Sequence, residues 1–132
     1  MNSAQIVKII LDLLGAGKLD EAAEYIADDF VCHEAASLPI GGEYHGKAGF
    51  RDLVGLLGKI WGDYGSRIHD IIGEGDLCVL IKTNWGKAAD KSWEMQVLEL
   101  WKTRGGKVIE VTPCYHDAGL LGKLYAAQQA SR

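Results

Sequence analysis

Asp117 follows Ile109, Val111, Pro113 and Tyr115 at two-residue spacing, so a regular last strand places all five on one face, provided Pro113 introduces no bulge. A carboxylate on an apolar face is costly to ionise; inside a cavity its pKa rises and it can serve as a general base near neutral pH. The alternative is that Asp117 caps the C-terminal helix or ends the strand in solvent. His33 is the second candidate, on the same side as Val31 of a short strand. Its imidazole can hydrogen-bond a substrate oxygen or orient a base, the alternative being a half-buried His satisfied by backbone. Cys32 with His33, and Cys114 with His116, offer zinc-type ligands. Adjacent strand residues point to opposite sides, and neither C-x-x-C nor H-x-x-x-H spacing occurs, so no metal is expected. His45 and His69 read as surface residues. The glycines at 41, 42, 46 and 49 lack dinucleotide-loop spacing and a preceding long strand, so no nucleotide cofactor is expected either.

Large rings suggest the ligand. Trp61 and Tyr64 close the stripe of a long helix, and Trp85, Trp93, Trp101 and Tyr115 fall on strands. Such walls suit a flat, apolar, carbonyl-bearing molecule, although the same rings can equally be core or interface. Trp93, Met95, Val97, Glu99 and Trp101 share one face of their strand and Glu94, Gln96, Leu98 and Leu100 the other; one of the two faces the pocket.

These residues must be positioned by helices first and strands afterwards. Ile6, Ile9, Ile10, Leu13 and Leu14 form a helical stripe ending at Gly15. Asp20 is placed as N-cap of a second helix whose inner face is Ala23, Ile26 and Ala27. Residues 30–34 read as a short strand, 37–42 as a loop, and 47–64 as the main packing helix, with Phe50, Leu53, Val54, Leu57, Ile60, Trp61 and Tyr64 inward. Strands are predicted over 67–72, 77–85, 92–103 and 107–117, joined by turns at 73–76, 87–91 and 104–106, with a short terminal helix from 119. This is an α+β domain spanning 1–132, with helices covering one face of a curved sheet.

Composition agrees with one globular domain: 132 residues, 48% hydrophobic, with 14 Lys+Arg against 18 Asp+Glu for a net charge of −4. No basic tract points to nucleic acid or an anionic membrane, and no apolar run is long enough to span a bilayer. Three separated cysteines fit buried reduced thiols and a cytoplasmic location.

The order of these pieces resembles a known family. Asp28-Asp29-Phe30 with His33, Tyr44 to Phe50 opening a long helix, Gly75-Asp76, Trp101 before Gly106-Lys107-Val108, and Tyr115 with Asp117 are arranged as in the SnoaL-like polyketide cyclases. These sit within the nuclear-transport-factor-2-like and ketosteroid-isomerase-like superfamily. The resemblance covers roughly Ile6 to Leu121. It implies a cone-shaped half-barrel of mixed, mainly antiparallel sheet, homodimers joined through the outer sheet face, and no cofactor. It also implies that Asp117 abstracts a proton alpha to a carbonyl of an apolar ligand, with His33 and Tyr115 stabilising the enolate. Tyr115, Trp61, Tyr64, Trp85 and Trp101 are the substrate-binding expectation. Because the fold hosts many functions, two alternatives stand beside the cyclase or isomerase reading: a non-catalytic dimeric binding or assembly module, and an epoxide hydrolase using Arg67.

Overall fold

The computed structural model describes residues 1–88 and 90–130. Helix α1 (Ser3–Gly15) buries Ile6, Val7 and Ile10, and its start is closed by a capping box in which Asn2 and Gln5 each accept the other's backbone N–H. Helix α2 (Leu19–Ala23) is a single turn with Lys18, not Asp20, at its N-cap; Asp20 and Glu21 instead sit in the first turn, where a negative charge suits the helix dipole. Ile26 and Ala27, expected on that helix, open strand β1 (Ile26–Glu34). Lys47 closes the junction: its Nζ donates to the carbonyls of Ile26 (2.6 Å) and Ala23 (3.3 Å).

A four-residue edge strand, β2 (Gly42–His45), follows where a loop and helix start were expected, and runs straight into α3 (Gly46–Trp61). Gly62, at φ 66°, turns the chain out of the helix, so Tyr64 continues the apolar stripe from a strand rather than from α3. Strands β3 (Asp63–Glu74), β4 (Leu77–Ala88) and β5 (Lys91–Arg104) are longer than their sequence signals, β6 (Lys107–Tyr115) stops two residues short of the expected 117, and α4 (Ala118–Ala130) ends the described chain.

The six strands form one curved sheet in the order β2-β1-β6-β5-β4-β3. Every pairing is antiparallel except β1 with β6, so the sheet is mixed, as expected. Phase is what matters for the site. In β6 the register shifts where Thr103 faces Val108 and Lys102 faces Glu110, which leaves Ile109 as the extra residue; beyond it Val111, Pro113 and Tyr115 stay in step. Cys32 faces Val111, which aligns Phe30, Cys32 and Glu34 of β1 with that same concave face.

The concave side therefore carries Phe30, Cys32 and Glu34 on β1, Lys82, Asn84 and Gly86 on β4, Trp93 through Trp101 at alternate positions on β5, and Tyr115 on β6. Helices α1 and α3 pack on this side, and their buried Ile6, Val7, Ile10, Phe50, Leu53 and Ile60 join Leu80, Val97 and Val108 in a continuous apolar core. Gly86 lies opposite Trp93. A Cβ there would stand 2.6 Å from the Asp63 carbonyl oxygen and 3.1 Å from the Trp93 ring, so only glycine lets the indole lie against β4.

Gly86→Ala should accordingly lower unfolding free energy by about 1–3 kcal/mol, because backbone or ring must move to admit the methyl group. Urea denaturation measures this; an unchanged midpoint would show that the close approach is not a constraint.

Candidate functional site

Glu34, the last residue of β1, is only 5% exposed. Alternation along the strand puts it on the concave face together with Phe30 and Cys32, and Tyr115 comes to it from β6. The Tyr115 hydroxyl donates to the carboxylate at 2.9 Å from Oε2 and 3.2 Å from Oε1. Burial pushes the Glu34 pKa up to about 7; the Tyr115 hydrogen bond acts against the shift, the negative Glu99 reinforces it, and the positive Lys82 opposes it. A carboxyl poised near neutrality in an apolar setting is the property a general acid–base group needs.

The groups around it come from five strands. Glu99 on β5 accepts from Trp101 Nε1 (3.2 Å) and pairs with Lys82 Nζ on β4 (3.4 Å), both charged side chains being 14% exposed. From β2, Tyr44 donates its hydroxyl to the Ile40 carbonyl (2.5 Å), which ties β2 to the segment that links it to β1. Burial, then the charge of Glu34, raises the Tyr44 phenol; the same two causes, in the same order, raise Tyr115 much further. The Cys32 thiol, in β1 itself, is driven up mainly by burial and so is inert as a nucleophile. Exposed Cys114 departs from the expectation of three buried thiols.

Next to this cluster stands an aromatic wall. Trp61, at the end of α3, packs edge-to-face on Trp93 (centroids 5.0 Å apart), Tyr64 (5.1 Å) and Tyr115 (6.2 Å). The Tyr64 phenol is raised by burial first and by Glu99 second. Of the rings expected to bind substrate, Trp61, Tyr64 and Tyr115 thus share one cluster, and Trp101 faces the concave side beside Glu99. Trp93 joins them. Trp85 does not: it is 43% exposed on the convex face, where it lies over Gly65.

The two residues expected to be catalytic are not brought together. Asp117 lies beyond the end of β6, exposed, and its Oδ1 accepts the Leu120 backbone N–H at 3.1 Å, capping α4. This is the alternative that its sequence position left open. His33 points to the convex side, between Glu43 (Nδ1 to Oε2, 3.0 Å) and Glu110 (Nε2 to Oε2, 3.8 Å), because its neighbours Cys32 and Glu34 take the concave face. Arg67 is likewise outside, paired with Glu94 at 2.9 Å. Sequence reasoning passed over Glu34, yet the signal was there: Phe30 and Cys32 define a buried alternation that reaches Glu34 two residues on. Among the described residues no group of three or more His, Cys, Asp or Glu side chains is arranged to hold a metal ion.

The SnoaL-like domain model matches residues 7–111. No curated protein matches the chain. Among solved structures, an NTF2-like protein of Burkholderia thailandensis E264 is similar at 21% identity and a TM-score of 0.83, over 96% of this chain and 98% of that one. Bal32a, from a soil-derived mobile gene cassette, is similar at 15% identity and 0.83, over 93% and 95%. TerC, co-crystallised with polyporic acid, is similar at 13% identity and 0.80, over 92% and 96%. At such identities the likeness is one of fold.

Glu34 makes stability depend on pH in a known direction. Its folded pKa of about 7 exceeds the ordinary 4.5, so the stability contributed by the bound proton is complete below about pH 4.5 and is lost as pH rises through about 7. Wild-type protein should therefore lose roughly 2–3 kcal/mol between pH 5 and pH 8 relative to Glu34→Gln, which cannot ionise. Parallel denaturation curves for the two proteins across that range would show that the carboxyl is not shifted.

Proposed function

Because the chain belongs to the SnoaL-like domain family, we propose that it is a small cofactor-independent enzyme of the cyclase or isomerase type, in which Glu34 abstracts a proton alpha to a carbonyl of an apolar ligand. The observation that carries this reading is the Glu34 carboxyl, buried at the end of β1, hydrogen-bonded to Tyr115 and held near pKa 7. Near neutral pH such a group is divided between its two forms, so it can take a proton from carbon and return it to another position of the same molecule. The assignment moves the role expected of Asp117 to Glu34. Tyr115 is its hydrogen-bonding partner, and Lys82 is the cation whose field favours the ionised base and offsets charge developing on an enolate oxygen in the poorly screened interior. Trp61, Tyr64, Trp93 and Trp101 supply the apolar wall for the ligand body. TerC, with the same fold, was crystallised together with polyporic acid, which supports a small organic ligand for this cone as well.

A second reading, a non-catalytic binding module, is favoured by the crowding of the interior: Trp61 and Trp93 are both more than nine-tenths buried, while the open surface depressions, of about 410 and 440 Å³, lie at the β3–β5 rim and along α3. Epoxide hydrolysis has no such support. It needs an arginine set between two carboxylates, and Arg67 is on the face opposite Glu34 and Glu99.

A simple fused-ring ketone, 2-tetralone, tests the proton-transfer reading. Its alpha protons should exchange with D₂O faster with the protein than without it, the rate rising with pH through about 7 as Glu34 ionises. Glu34→Gln should slow exchange by about 10²–10⁴-fold. Saturable binding of the ketone with no exchange above the buffer rate would leave the binding-module reading in its place.

We further propose a homodimer through the convex face, where Ile72, Leu77, Trp85 and Leu98 are 41–57% exposed. Sedimentation equilibrium should give twice the chain mass, and Leu98→Glu the monomer mass; a monomeric wild type at tens of micromolar would end the idea. No helix among the described residues is long and apolar enough to cross a membrane.

A further inference from the structure

Three side-chain polar atoms of the described residues are buried without a hydrogen-bonding partner, and two of them are indole nitrogens in the aromatic wall: Trp61 Nε1 and Trp93 Nε1. The third, Ser3 Oγ, belongs to the first turn of α1, away from that wall. A buried N–H without an acceptor costs about 1–3 kcal/mol, and native proteins seldom carry such groups without a use for them. Here two occur on rings in contact, with residues 2% and 7% exposed.

Their setting limits what kind of group they can serve. An indole nitrogen only donates, so its partner must be an acceptor. The acidic side chains of the interior are committed elsewhere: Glu34 to Tyr115 and Glu99 to Trp101 and Lys82. Trp61 also touches Tyr115, the ring that carries the hydrogen bond to Glu34. Trp93 belongs to both the wall and the 410 Å³ depression at the rim, so one face of its ring borders the outside of the cone.

We propose that the indole N–H groups of Trp61 and Trp93 are ligand-recognition donors, and that they select a planar apolar molecule bearing a carbonyl oxygen acceptor over a hydrocarbon of the same shape. The inference rests on the reading that the cone holds a small ligand, and it adds the polar contacts that choose among ligands. Hydroxyl-free ketones and quinones satisfy both donors without bringing unpaired donors of their own. Discrimination follows from the asymmetry of buried hydrogen bonds: a ligand with no acceptor leaves the two N–H groups as they are, whereas a carbonyl oxygen recovers their unmet bonding.

The test uses 2-tetralone and its hydrocarbon counterpart tetralin with ¹⁵N-labelled full-length protein. On addition of the ketone the Nε1–H resonances of Trp61 and Trp93, identified through Trp→Phe variants, should move downfield; tetralin should not produce that shift. Trp61→Phe and Trp93→Phe keep an aromatic ring and remove the donor, and each should weaken ketone binding roughly five- to tenfold while changing tetralin binding less than twofold. The wild-type shift needs no variant that might fail to fold, and resonance identity can also be set by through-space contacts to Tyr64 and Gly86. Ketone binding that leaves both resonances in place, equal losses for ketone and tetralin, or no saturable ketone binding each overturns the inference. The proton-transfer reading fails separately, by absent exchange in a protein whose indole signals still respond.

Discussion

Keeping one carboxyl group away from water governs the arrangement of the whole wide end of this cone. Glu34 is at the end of β1, where most strands would release a charged residue to solvent, yet it is 5% exposed and meets the Tyr115 hydroxyl instead. A buried carboxyl without a partner would simply stay protonated. Here the Tyr115 hydroxyl and the Lys82 charge pull against burial and against Glu99, and the balance lies near neutrality. Loss of either stabilising group would move the carboxyl pKa further up, and loss of the burial would move it down.

That balance requires groups from four strands to meet, which turns it into a problem of register. A one-residue slip in any strand exchanges its faces. Two irregularities set the phase: the shift in β1 between Ile26 and Val31, and the extra residue Ile109 in β6. Past them, Cys32 faces Val111 and Tyr115 faces Val97, so Glu34 and the tyrosine hydroxyl end up on one side. Gly86 serves the same purpose sterically, by allowing the Trp93 ring close enough to β4 to join Trp61. The site is thus built on regular, paired strands, where side-chain positions are best defined.

The helices α1 and α3 and the four long strands were legible in the sequence, because their apolar spacing is long and strongly periodic, while the mixed pairing of the sheet followed from the family resemblance. What escaped was local and set by tertiary pairing. Ile26 and Ala27 continue a helical spacing from Ala23, yet β6 recruits them into a parallel strand once Lys47 has closed α2 after a single turn. Tyr64 fits the α3 stripe at the right spacing, and only the positive φ of Gly62 separates it. Strand β2 is too short to show a period. Of the residues that the sequence singled out, Trp61, Tyr64, Trp101 and Tyr115 lie on the concave side, whereas His33 and Asp117 lie off it. His33 and Glu34 are adjacent on β1, so their side chains take opposite faces, and the apolar alternation of Phe30 and Cys32 runs to the glutamate. Asp117 was placed by counting alternate residues past the end of a strand that stops at Tyr115.

The distribution of polarity along the cone also says why such a site is tolerable. Where α1 covers the sheet, Ile6, Val7, Ile10 and, on β6, Val108 are all fully buried, an apolar core that supplies folding stability without a polar atom in its side chains. The costly features, a carboxyl shifted toward neutrality, an interior ion pair and two indole donors without acceptors, are gathered at the other end around Tyr115. Dividing the interior in this way lets the apolar half stabilise the fold while the polar half remains strained in bonding terms. Any ligand that met those donors and that carboxyl would relieve the strain, so binding energy and fold stability would draw on the same interactions.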